Sequence, residues 1–118
     1  MTLSRQAVQR SVLRWRTRRR PEVAVRYLEA LAADLQVDGW RLVRLYRPEE
    51  FPIPVPLLWV YVRDVGLAVS VLAIPGGAWG YHEAQRGRAA FLSECGDAGA
   101  AAEAVARVLK RRMFPGTW

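Results

Sequence analysis

Two side chains in this sequence have the chemistry of a catalytic pair. Cys95 is the only cysteine and His82 the only histidine. A thiol beside an imidazole is a standard activated nucleophile, and such partners meet in space rather than in sequence. Cys95 precedes a predicted helix, whose N-terminal dipole favours a thiolate. The plainer readings are a small buried thiol and a hydrogen-bonded, partly exposed strand histidine, and these are the ones adopted. The chain is accordingly expected not to be an enzyme.

Metal chemistry finds less support still. A bound ion needs about three or four converging ligands. Beyond the one Cys and one His there is no HxxxH, CxxC or carboxylate cluster. His82 and Glu83 are neighbours on a predicted strand, so they point to opposite faces and cannot chelate together. Gly76, Gly77 and Gly80 do not make a phosphate loop, because they lead into another strand where a nucleotide loop leads into a helix. No metal and no cofactor is expected.

Binding chemistry is better represented. Five tryptophans invite comparison with a stacking platform for single-stranded nucleic acid. Trp40, Trp59 and Trp79 nevertheless fall on predicted strands, where aromatics belong to the core, and only Trp40 has basic neighbours, Arg41 and Arg44. Residues 48–56 carry prolines at 48, 52, 54 and 56 and form an extended, stiff loop. Phe51 and Ile53 are apolar on this expected surface, which makes them candidate contacts.

The strongest signal is where the charge sits. Residues 1–20 hold seven arginines (Arg5, Arg10, Arg14, Arg16, Arg18, Arg19 and Arg20) and no acid. In residues 21–118, eleven cations face eleven acids. The whole net charge of +7 therefore belongs to an appendage on a neutral body. Of 18 cations only Lys110 is lysine, and asparagine is absent. Arginine and alanine have GC-rich codons, so this bias points to a GC-rich bacterial source and is not in itself a mark of phosphate recognition.

The elements that must carry these residues follow from periodicity. At 118 residues the chain suits one domain with its own core. Arg63 and Asp64 interrupt the most hydrophobic region, so no run of about 18 apolar residues is present to span a membrane. With a single cysteine and no apolar segment behind the basic N-terminus, a cytoplasmic location is expected. Residues 4–19 read as a helix with a narrow apolar stripe of Val8, Val12 and Trp15, its arginines scattered over most of the circumference. Such a helix is weak alone and needs a partner, its own body or another molecule. Residues 22–36 read as a core-facing helix, with Ala24, Tyr27, Leu28, Leu31, Ala32 and Leu35 on one face and Asp38-Gly39 ending it.

Strands are expected at 40–46, 57–62, 67–74, 78–84 and 88–92, with turns at Asp64-Val65-Gly66 and Pro75-Gly76-Gly77. Arg41, Arg44 and Arg47 spoil the alternation of the first strand, which implies a bulge or an exposed edge. Leu57 to Val62 is unbroken and apolar, suiting a strand covered on both faces. A last helix runs from an N-cap at Asp97 to about Met113. The order α-α-β-β-β-β-β-α gives an α+β fold: an antiparallel meander of four to five strands, with helices packed on one face. Residues 1–20 form a basic helix or arm, and residues 21–118 a single α+β domain.

The function expected from this pattern is that of a small, non-enzymatic interaction or regulatory protein. It would bind an acidic protein partner through Arg5, Arg10, Arg14, Trp15, Arg16, Arg18, Arg19 and Arg20, with Phe51 and Ile53 as loop contacts. The alternative is a nucleic-acid-associated protein whose same helix makes non-specific phosphate contacts. An exposed edge at Arg41 to Arg47 would also allow pairing with a second copy.

Overall fold

A computed structural model of the chain describes residues 5–47, 55–86 and 90–114. Most of the proline-rich loop, with Phe51 and Ile53, and the first half of the expected fifth strand lie outside the described residues. The elements are α1 (Arg5–Arg19), α2 (Pro21–Val37), β1 (Arg41–Leu45), β2 (Leu57–Val62), β3 (Val65–Ile74), β4 (Ala78–Glu83), β5 (Phe91–Glu94) and α3 (Ala98–Met113). The strands pair in the order β1-β2-β3-β4-β5, one antiparallel meander, so the α+β architecture is as expected.

α2 forms because its apolar residues recur on one face. Ala24, Leu28, Leu31, Ala32 and Leu35 are buried together against the sheet and α3. Pro21 opens the helix, where a missing N–H costs nothing. Gly39 closes it at φ 90°: its N–H donates to the Gln36 carbonyl, and the Trp40 N–H reaches back to Leu35, a Schellman arrangement. The sheet face beneath carries Leu58, Val60, Leu67, Val69, Val71 and Tyr81. Trimming one of the fully buried leucines, such as Leu28, to alanine is worth about 2–5 kcal/mol. The Tyr81 hydroxyl donates to the Tyr27 carbonyl at 2.6 Å, tying β4 to α2. α3 begins at Asp97, whose side chain accepts the Ala100 N–H at 3.0 Å, and buries Ala101, Ala102, Val105 and Leu109.

The arginines of β1 are explained by its place at the edge of the sheet, not by a bulge, since its register with β2 is regular. Arg44 stands opposite Leu58 and so faces α2, where its Nε meets the Glu29 carboxylate at 2.9 Å. The bulge falls elsewhere, between β4 and β5 beside Tyr81 and His82.

Two expectations need correction. The β2–β3 turn is Arg63-Asp64, with Arg63 in the left-handed region at φ 55°, and Gly66 is the second residue of β3. The glycine is needed there for packing: the Trp59 indole lies across it where a Cβ would stand. Nor is β2 covered on both faces. Leu58 and Val60 are buried, whereas Leu57, Trp59 and Tyr61 on the opposite face are only half-buried. α2 and α3 share one side of the sheet, and α1 covers only part of the other.

Candidate functional site

The basic helix is docked on its own domain, a point the sequence left open. Its buried residues are Leu13 and Thr17. The β2–β3 ladder ends at the Leu57–Ser70 pair. Beyond that pair the Ala73 N–H donates to Thr17 Oγ1 at 2.9 Å, while the same hydroxyl donates to the Leu13 carbonyl at 2.9 Å. Threonine suits both tasks, because its hydroxyl readily back-bonds one turn up a helix and keeps a lone pair free. Next to it, the Arg16 guanidinium donates to the Ile74 and Ala78 carbonyls at 3.1 and 3.2 Å, gripping both ends of the Pro75–Gly77 turn. It also lies over the Trp79 ring at 5.4 Å.

This docking turns the apolar stripe outward. Val8, Val12 and Trp15 are 47%, 49% and 59% exposed, on the side away from Leu13 and Thr17. Arg5 and Arg19 extend the same line, so that Arg5, Val8, Val12, Trp15 and Arg19 follow the alternating three- and four-residue spacing of a heptad seam. The Arg19 guanidinium stacks on Trp15 at 5.0 Å, which keeps the indole splayed on the surface. The seam spans about 21 Å of helix.

The seven arginines are thus not equivalent. Arg16 is engaged at the β3–β4 turn, Arg19 on Trp15, and Arg10 Nε on the Gln6 carbonyl at 3.4 Å. Arg20 pairs with Glu22 at 2.6 Å and holds that exposed carboxyl below its ordinary range. Among the described residues Arg5, Arg14 and Arg18 have no ionic or hydrogen-bonding partner. Leu13, the large apolar residue off the stripe, was the one sequence signal of which side is buried.

The two reactive side chains are not brought together. Cys95 packs against the core cluster on the Tyr81 side of the sheet. Burial first, and then the Glu94 carboxylate, push its thiol up to about 12, the opposite of the thiolate-stabilising effect expected from the helix behind it. His82, next along β4, points to the other face, with Nδ1 2.9 Å from the Gly80 carbonyl and its ring edge-on to Phe91. It is only 2% exposed, where the sequence suggested partial exposure. Glu83 turns back to meet Arg112, so His82 and Glu83 do face opposite ways. Among the described residues no three His, Cys, Asp or Glu side chains lie close enough to hold an ion, and no helix is long and apolar enough to cross a membrane.

The tryptophans divide. Trp40 and Trp79 pack against the core, as expected for strand aromatics. Trp59 lies on the far face across Gly66, and the basic neighbours that sequence gave only to Trp40 are supplied by α1 to Trp15 and Trp79.

No protein-family model, curated protein or solved structure matches the chain.

Proposed function

We propose that the protein is a non-enzymatic interaction module of the cytoplasm that presents the outer face of α1 to an acidic protein partner. The observation that carries this reading is the exposure of Val8, Val12 and Trp15 on a helix already fixed by its other side. A helix free to choose would bury its larger apolar face, since each such side chain is worth about 1.5–3 kcal/mol when taken from water. Here the three point outward at the i, i+4, i+7 spacing with which a helix fills an apolar groove. Arg5 and Arg19 close the two ends of the seam, which fits a groove or amphipathic helix with carboxylates at matching ends. A second copy fits poorly, because it would set two cationic seams against each other. A nucleic-acid backbone fits less well than protein, because the centre of the surface is apolar where phosphate contacts need donors.

The test uses surface variants of the whole chain, because removing residues 1–20 would also strip Thr17 and Arg16 from the sheet. An acidic helical peptide with leucine at the seam positions and glutamate flanking them serves as the model partner, and a generic DNA duplex as the competitor ligand. The expected result is peptide binding that Trp15→Ala and Val12→Ser each weaken by about tenfold, in line with the loss of a buried anchor. Duplex binding that is stronger, steep in salt and indifferent to Trp15→Ala would overturn the reading in favour of phosphate contact.

A further inference from the structure

The other side of α1 overhangs a cleft that the outward seam does not explain. It has a volume of about 690 Å³, within the range of small-molecule sites. Its floor is the sheet face away from α2 and α3: Leu57 and Trp59 from β2, with Ala68 and Leu72 from β3. The far wall is Ala84 and Gln85, just past β4, and the near wall is α1, through Arg14, Thr17 and Arg18.

Three polar groups at this cleft lack partners among the described residues. Arg14 and Arg18 stand one helical turn apart, so two like charges are held as neighbours with no carboxylate among the described lining residues. Ser70 lies in the floor at 2% exposure, and its hydroxyl has no hydrogen-bond partner among the described residues. Its oxygen keeps solvent contact, so it is available as a hydrogen-bonding group to an occupant of the cleft. Thr17 is excluded from that role, since its oxygen is already used by Ala73 and Leu13.

We infer that the cleft binds one molecule of an amphipathic monocarboxylate. Its apolar body lies along Leu57, Trp59 and Leu72, and its carboxylate is met by the Arg14 and Arg18 guanidiniums. Charge complementarity selects this occupant: the apolar floor asks for hydrocarbon, while an anion relieves the repulsion between the paired arginines and accepts up to two forked donors. A neutral hydrocarbon would satisfy the floor alone, and a compact inorganic anion the rim alone. The inference is independent of the outward seam, because Val8, Val12 and Trp15 do not line the cleft.

The experiment is a calorimetric titration of the full chain with dodecanoate below its micelle concentration. Dodecanol, and vesicles of anionic lipid, provide the parallel arms. The expected result is one-to-one binding of dodecanoate that weakens with added salt, with dodecanol bound about tenfold less tightly for want of the charged hydrogen bonds. Arg14→Gln combined with Arg18→Gln should weaken dodecanoate to the same degree without unfolding the chain, since both side chains are exposed. Ala68→Phe, which fills the floor, should abolish binding. Trp15→Ala should leave dodecanoate affinity unchanged, which separates this site from the seam. Equal affinity for the alcohol, indifference to the double arginine substitution, no heat at all, or association with vesicles alone would each overturn the inference.

Discussion

The Thr17 hydroxyl accepts the Ala73 N–H at 2.9 Å, so a side chain of α1 completes the hydrogen bonding of β3 where its ladder with β2 has run out. Thr17→Val keeps the shape and removes the acceptor. It should cost about 1–3 kcal/mol, the penalty for a buried donor left unmade. Thr17→Ser, which keeps the oxygen, should cost less. Urea-unfolding midpoints of the three proteins check this, and an unchanged midpoint for Thr17→Val would mean that the bond does not hold the helix.

Gly66 and Trp59 form a second such pair, on the far face of the sheet. A methyl group at residue 66 displaces the indole from its place on the strand. Gly66→Ala is expected to destabilise by about 1–3 kcal/mol through overpacking. The cost should shrink in a Trp59→Leu background, giving a coupling energy in a double-mutant cycle. Additive effects would show that the ring moves aside freely.

Burial keeps the Cys95 thiol protonated in the folded chain up to about pH 12. An unfolded thiol titrates near pH 8.5. Above that value the unfolded state gives up a proton that the folded state retains, so stability is full below about pH 8.5 and declines as pH rises from there. Cys95→Ala should flatten this decline between about pH 8.5 and 10, before tyrosines contribute. Unfolding midpoints across that range provide the measurement. A slope equal to wild type would contradict the assignment, as would rapid alkylation of the native thiol at pH 8.

Arg112 joins the last turn of α3 to the sheet, bonding the Glu83 carboxylate and, at 3.1 Å, the Gly66 carbonyl. Glu83 is buried, whereas Arg112 is partly in water. Removing the arginine strands a buried carboxylate, while neutralising the acid leaves an exposed cation with a second partner. Arg112→Met should therefore destabilise more than Glu83→Gln, by about 1–3 kcal/mol against a smaller loss. Thermal melts that reverse this order would count against the pairing.

How much of this was legible in the sequence varies from element to element. α2 and α3 could be read residue by residue, because their apolar face is the face they bury and Gly39 and Asp97 punctuate them by local geometry. The side on which α1 docks could not. A helical wheel marks Val8, Val12 and Trp15, yet the helix is held by Thr17 and Arg16 on backbone groups more than fifty residues away. No periodicity encodes a bond between a helix side chain and the backbone of a distant strand. Gly66 hides its role for a related reason: Asp-Val-Gly has the composition of a turn, and only the Trp59 ring shows that the glycine serves packing. The cleft was invisible because it needs β2, β3 and α1 in register at once.

The docking of α1 has a consequence for colloidal behaviour. Residues 21–118 carry no net charge, and the seven arginines of the first twenty residues supply the repulsion that keeps copies apart. The same helix holds the Ala73 N–H near the end of β3 through Thr17. Cleavage within the arginine run 18–20 would remove most of that charge together with the Thr17 contact, leaving a nearly neutral particle. Proteolytic trimming there would thus turn a self-repelling particle into one prone to association.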